Sequence, residues 1–380
     1  MQNYVEAKIS EFTEKLAYQR RILIDLLARG DHQILVLRLG DLCTEAEQLL
    51  DRTRRGFSLN LPQLFRRHQI NLTRIRTSLE LLEEWYLPAL LQEGHEERAV
   101  SRVITRVLAQ LQIYHLADHV VSFSRSLSTF PRVPGHPIFF MPRYTRTCII
   151  DWTGVYHEIG HSVYQQFPQI SAELARAVLE FCQEQLRRGP ALSTSQLNRR
   201  AERFRQTLLY WNTYRLEELF CDVFATLVAG PAHLLSWVDV SVTTKQNPYG
   251  VDLTDEHPPN AARTDACMLA LDDGYADAPL KRSISDLWDN FLNRRAKPPQ
   301  FNQLCPFALI MRIVESARTA VVRLGIPLFQ RTLSSPPASL ADEKLDDLQH
   351  LVNLAAVNFM FAPTEFSVWQ RNITAKVFGI

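Results

Sequence analysis

The most constraining stretch of this chain is His157-Glu158-Ile159-Gly160-His161. Two histidines four residues apart share a face only where the backbone is α-helical, with Cβ atoms roughly 5–6 Å apart. On such a face both imidazoles reach one metal ion, and Glu158 stands beside the ion rather than on it. The five-residue pattern is only moderately specific in a chain with 11 histidines. Its meaning depends on what else the chain supplies.

A zinc site of this kind needs a third protein ligand and keeps a fourth position for water. Glu218 is the candidate. It lies inside the strongly apolar helix pattern of residues 211–225, where an unpaired carboxylate is costly to bury. Asp222, one turn later on the same face, suits a role behind the ligands, accepting an N–H from a coordinating imidazole. Glu217 is the rival third ligand, but its neighbour four residues on is Cys221, which offers no comparable acceptor. In the resulting mechanism Zn²⁺ lowers the pKa of its bound water toward about 7 and polarises a carbonyl. Glu158 serves as general base and returns the proton to the leaving amine.

His257-Pro258-Pro259-Asn260-Ala261-Ala262-Arg263 adds a further piece. The prolines start a helix stiffly, with His257 just before it. His257 is read either as an oxyanion donor or as an incidental residue at a helix start, and Arg263 as an anchor for the turn or for an active-site carboxylate. Tyr156, Tyr214 and Tyr249 are further oxyanion-donor candidates that nothing in the sequence ranks. A second histidine pair, His115 and His119, has no supporting third ligand nearby. It reads as ordinary core or surface histidines.

Around these motifs the chain is mostly helical. Val5, Ile9, Phe12 and Leu16, and then Leu72, Ile75, Leu79 and Leu82, follow helical spacing, so residues 1–128 read as a bundle of about four helices. From 129 to 150 the prolines forbid a long helix. Ile138–Met141 and Tyr144–Ile150 read as short strands, an edge that suits an extended peptide, and Asp151 or Thr153 is expected to cap the zinc helix. Two long helices are expected between 171 and 230, the second stopping at Gly230-Pro231. A polar loop over 241–257, a helix from about Pro259 and further helices after 275 complete the reading. The expected domains are a helical N-terminal region (1–128) acting as scaffold or as binding surface for a partner, regulator or substrate, a core (129–275), and a helical C-terminal region (276–380) packing on the core.

Composition removes other classes. With 46% hydrophobic and 22% charged residues, 380 residues can bury a sizeable core. A net charge of +1 argues against nucleic acid or an anionic membrane as main partner. Six scattered cysteines without C-x-x-C spacing, and an amphipathic first 30 residues without an apolar leader run, point to free thiols in a reducing compartment, the cytoplasm. No window is apolar enough to span a membrane.

At residues 138–270 the chain resembles the gluzincin metallopeptidases, which join H-E-x-x-H to a glutamate ligand in E-x-x-x-D on a later helix. His157, Glu158, His161, Glu218 and Asp222 match that pattern. Within the class it is most similar to the CAAX prenyl protease and HtpX-like group, whose H-P-P segment and following arginine correspond to His257, Pro258, Pro259 and Arg263. The resemblance implies a mainly α (α+β) fold: a helical zincin-type core with a small β-sheet beside the active site, flanked by helical regions. It implies one Zn²⁺ per chain, peptide or protein substrates and zinc endopeptidase activity. Many members of that group have transmembrane helices, and this chain has none, so prenylated or membrane substrates are not implied. Two other readings stay open: an interaction protein whose zinc site is structural or inactive, and a zinc hydrolase acting on a non-peptide substrate.

Overall fold

Ile9, Phe12 and Leu16 recur at three- and four-residue spacing, and all three side chains are buried. In the computed structural model they lie on α1 (Gln2–Arg29), which packs against α2 (Gln33–Ser58) and α3 (Phe65–Glu80). The structure describes residues 2–378 apart from 31, 59–64, 93, 117–118, 125–127, 131–136, 143–147, 188–192, 244–246, 272–277, 293–294 and 331–346. Gly30 adopts φ +83°, which ends α1 and reverses the chain at no Cβ cost. Ile75, Leu79 and Leu82 join the same core, Leu82 from a π-helical turn (Leu81–Tyr86) that leads into α4 (Leu87–Gln92). Next comes α5 (His95–Gln110).

Helix does not continue to residue 128 as the periodicity suggests. After Gln110 a short 3-10 turn (Tyr114–Leu116) leads to strand β1 (Val120–Ser124), whose Val-Val-Ser-Phe content favours extended backbone. With β2 (Ser128–Phe130) and β3 (Ile138–Pro142) it forms a three-stranded sheet in the order β1-β3-β2. The strand expected at 138–141 is therefore present. Of the one expected over 144–150, residues 144–147 lie outside the described part. Ile150 instead begins a 3-10 turn, Ile150–Trp152, that runs directly into α6 (Thr153–Gln166). Because the chain enters α6 already helical, neither Asp151 nor Thr153 caps it with a side chain. His119 is buried, its ring nitrogens 3.1 Å from Ser101 Oγ and 3.2 Å from the Leu116 carbonyl.

The chain divides into two units: Met1–Ser101, His115–Phe123 and Phe130–Phe140 form one, and Arg102–Tyr114, Ser124–Thr129 and Met141–Ile380 the other. In the second unit α6 is followed by α7 (Pro168–Arg187), α8 (Thr194–Tyr210), α9 (Thr213–Ala229), α10 (Pro231–Thr243) and α11 (Asn260–Ala270). Then come α12 (Ala278–Leu292), α13 (Pro299–Leu304), α14 (Phe307–Arg323), α15 (Leu348–Phe361) and α16 (Pro363–Phe378). Three helices, not two, fill 171–230. The extra break falls at Trp211-Asn212, where the Asn212 side chain accepts from the Arg215 N–H and starts α9 afresh. Ser193 caps α8 in a reciprocal capping box with Gln196.

Helix α9 is the axis of this unit, touching α6, α7, α10, α11, α14 and α15. Every residue from Leu219 to Ala229 is buried, as expected of a helix that is apolar on all sides. Gly230 (φ +77°) turns the chain into α10. Buried Asn353 of α15 holds that corner, accepting from Ala232 N (3.1 Å) and donating to the Ala229 carbonyl (2.5 Å). Among the described residues no helix is long and apolar enough to cross a membrane.

Helices α6 and α9 pack closely, and Gly160 permits it: a Cβ there would lie 3.0 Å from Cys221 Cα. Gly160→Val should cost at least about 2 kcal/mol in chemical denaturation, because the contact is with backbone and cannot be relieved by a rotamer change. Gly40→Ala on α2, where a Cβ meets nothing within 4 Å, should instead be neutral or gain up to about 1 kcal/mol.

On α11, burial pushes the Asp265 carboxyl up to about 6; Lys297 opposes the shift and Asp289 adds to it. A carboxyl that holds its proton more tightly when folded favours the native state at low pH. That contribution is lost as pH rises from about 4 through 6. Asp265→Asn should therefore stabilise the protein by on the order of 1–2 kcal/mol at pH 7 and by almost nothing at pH 4, read from denaturant midpoints at the two pH values.

Candidate metal centre

The α6 face that packs on α9 presents His157 and His161, and Glu158, between them in sequence, is buried. The opposing face of α9 presents Glu217, Glu218 and Asp222, and α11 brings Arg263 to the same place. The two imidazoles meet edge to face, centroids 5.0 Å apart. Each turns Nε2 toward one carboxylate: His157 Nε2 is 3.4 Å from Glu218 Oε2, and His161 Nε2 is 3.4 Å from Glu218 Oε1. Each turns Nδ1 toward a different one: His157 Nδ1 is 3.0 Å from Asp222 Oδ1, and His161 Nδ1 is 3.0 Å from Glu217 Oε1.

This division of labour suits one tautomer of each neutral ring. An Nδ1–H donated to a carboxylate leaves the Nε2 lone pair free for a metal. Charge-assisted hydrogen bonds run at about 2.7–2.9 Å, so the Nε2-to-Glu218 separations are long for that purpose. They equal the edge of a tetrahedron of ligands about 2.1 Å from one centre, roughly 3.4 Å. His157, His161 and Glu218 therefore have donor chemistry that suits a metal, with each imidazole at that length from a different Glu218 oxygen.

Asp222 is completely buried and still ionised. Burial works against its charge, but Arg263 outweighs it and holds the carboxyl well below the usual range. Arg263 Nε lies 2.5 Å from Oδ2 and its Nη2 2.8 Å from Oδ1, with the guanidinium over the Trp237 ring at 3.9 Å. Glu218 is mostly shielded, its side chain 13% exposed. Its charged form loses by that, yet the nearby His157 ring and the charge of Arg263 bring its carboxyl down to about 2. Burial lowers the basicity of His157 in turn, and the Asp222 and Glu218 carboxylates reverse this, raising it to about 10.

Other donors approach the same rings. The sets His157, His161 and Cys221, and His157, Asp222 and His233, each have donor atoms within 4.8 Å of one another. Both Asp222 oxygens are engaged by a guanidinium, which would repel a cation there. Burial pushes the Cys221 thiol well above its usual range.

His257 sits at the rim, about half exposed, with Nε2 3.6 Å from Glu218 Oε2 and Nδ1 2.8 Å from Asp255 Oδ1. Of the three tyrosines, Tyr214 lies one turn before Glu218 on α9 and is exposed; Tyr156 is fully buried, and the buried Tyr249 ring packs on Phe301. Sequence reasoning missed Glu217 as the partner of His161 Nδ1. It also missed His233, stacked on His157 at 6.2 Å with Nε2 3.8 Å from Asp222 Oδ1. The signal for Glu217 was available: Gln165, four residues after His161, donates to the same Glu217 oxygen at 2.9 Å. His233 gave none, since only the turn at Gly230 brings it back.

Compared with protein-family models, with curated proteins and with solved structures, the chain finds no match.

Breaking the Arg263–Asp222 pair tests the electrostatic account. Arg263→Met should destabilise the fold by about 3–5 kcal/mol, because it strands a carboxylate at zero exposure. A loss of less than about 1 kcal/mol in thermal or denaturant unfolding would contradict that account.

Proposed function

We propose that this chain is a zinc-dependent metallopeptidase in which His157, His161 and Glu218 hold one Zn²⁺ and Glu158 is the general base. The observation that carries the reading is the paired geometry of the imidazoles, with both Nε2 atoms on the two oxygens of Glu218 and both Nδ1 atoms on separate carboxylates. When bound, the metal would supply Lewis acidity to a substrate carbonyl and lower the pKa of water toward about 7.

The chain's own residues do the rest. Glu158, one residue after His157 on the same buried stretch of α6, takes a proton from water and delivers it to the departing amine nitrogen. Asp222 and Glu217 keep each imidazole proton on Nδ1 and fix the ring planes. Arg263 keeps Asp222 ionised. His257, held through Nδ1 by Asp255, offers its ring at the open side of Glu218, where the oxyanion of an attacked carbonyl would need a donor. Peptide substrates are preferred on the resemblance of the motif set, and six free cysteines fit a reducing compartment such as the cytoplasm.

Elemental analysis with activity assays tests the assignment. Wild type should carry one zinc per chain and Glu218→Ala none. Glu217→Ala should keep the metal with affinity about 10–100-fold weaker in chelator competition, as expected for a residue that only orients a ligand. Glu158→Gln should retain zinc and lose about 10²–10⁴-fold in kcat on a peptide library. Zinc lost in Glu217→Ala but kept in Glu218→Ala would overturn the ligand set, and full activity in Glu158→Gln would overturn the base.

A further inference from the structure

Residues 251–258, the later part of the connection from α10 to α11, have no regular structure, and no backbone–backbone hydrogen bond made by this run is described. Such a connection would ordinarily be free to move. Here it is held by one side chain from the helix that carries Glu218. Arg215, three residues before Glu218 on α9, is only 3% exposed. Its Nη2 donates to the carbonyls of Asp252 (3.1 Å), Leu253 (3.0 Å) and Asp255. Its Nη1 donates to the Tyr210 carbonyl at 2.9 Å, and the guanidinium lies over the Tyr210 ring at 4.5 Å. A buried cation whose described hydrogen bonds all go to main-chain carbonyls is an unusual use of arginine, since carboxylates are its better partners. Three of those four carbonyls belong to one short run. The run is stiffened from within as well: Asp252 Oδ1 accepts from Thr254 N (2.8 Å) and Oγ1 (2.7 Å), and Asp255 Oδ1 accepts from His257 N (2.9 Å) and contacts Nδ1 (2.8 Å).

We infer that Arg215 is a positioning residue: it ties the 252–257 loop to α9, so that His257 keeps a fixed place over Glu218. Loop and ligand then move together, because both are referenced to the same turn of the same helix. His257 needs this. Its side chain is 51% exposed, and its contacts in the site are to Glu218 at 3.6 Å and to Asp255, which belongs to the loop itself. Without the guanidinium nothing in this set of contacts opposes a shift of an ångström or more, and displacements of that size cost on the order of 100-fold in rate when a reacting group is misplaced. The catalytic half of the inference rests on the metallopeptidase reading; the mechanical half does not.

The test uses the whole 380-residue chain with Arg215→Gln, Arg215→Lys, His257→Ala and the Arg215→Gln/His257→Ala double variant. Hydrogen exchange should accelerate at 250–258 in Arg215→Gln while α6 and the rest of α9 keep their protection, and zinc content should match wild type. On a cleaved peptide, kcat should fall about 10–100-fold with KM little changed, to the level of His257→Ala. The double variant should be no worse than either single one. Arg215→Lys, which keeps a charge but not the fork, should lie between, and it stands in if Arg215→Gln fails to fold. Unchanged exchange at 250–258 overturns the clamp. Losses that multiply in the double variant overturn the link to His257. If wild type neither binds zinc nor cleaves peptides, the metallopeptidase reading fails, and the exchange experiment still decides the clamp.

Discussion

A carboxylate held ionised at zero exposure is the condition on which the second unit depends. Asp222 sits midway along α9, a helix covered by neighbours along its C-terminal two-thirds. Moving an isolated carboxylate into such surroundings costs several kcal/mol even after relaxation. The cost is offset only because Arg263 arrives from α11 with two hydrogen bonds and stacks on Trp237 from α10. His157 arrives from α6 with a third. Three helices are thus tied to one charge, and the tie also fixes the orientation of His157. Stability and site geometry are the same interaction.

Close packing makes that interaction reachable. Imidazoles on one helix meet carboxylates on another at 3.0–3.4 Å only if the backbones approach closely. Gly160, inside the histidine motif itself, removes the Cβ that would strike Cys221. The glycine lies on the side of α6 pressed to α9, and the histidines flank it. One small residue therefore sets the depth at which the histidines and the acids face each other.

Much of this was legible in the sequence, for a physical reason. Helical periodicity reports burial, and burial is what shaped α1, α3 and α9. The α6 motif and the acids of α9 stood out because charged groups at helical spacing in apolar surroundings need partners. What escaped was decided by local competition or by tertiary return. The break before α9 depends on one Asn212 side chain satisfying the Arg215 N–H, against a run that is otherwise good helix. Strand β1 follows two residues, 117 and 118, outside the described part, where periodicity had simply been extrapolated. The grip of Arg215 on residues 252–255 joins positions almost forty apart through main-chain carbonyls, and carbonyls leave no trace in the side-chain sequence.

The neighbours Glu217 and Glu218 show how a one-residue difference becomes a difference of role. Consecutive residues on an α-helix point about 100° apart, so two adjacent glutamates cannot both face one point on the opposing helix. Glu218 points between the two histidines and meets both Nε2 atoms. Glu217 points toward the C-terminal end of α6, past His161, to Gln165 and the Nδ1 side of the ring. Asp222, four residues beyond Glu218, reaches the Nδ1 of the other histidine. The two rings are therefore oriented from opposite directions, one by the residue before the central glutamate and one by the residue a turn after it. A lone glutamate at 218 would leave the His161 Nδ1 proton without a carboxylate acceptor. The pair Glu217-Glu218 on α9, with His161 and Gln165 spaced by four on α6, forms one arrangement in which each acid has a separate task.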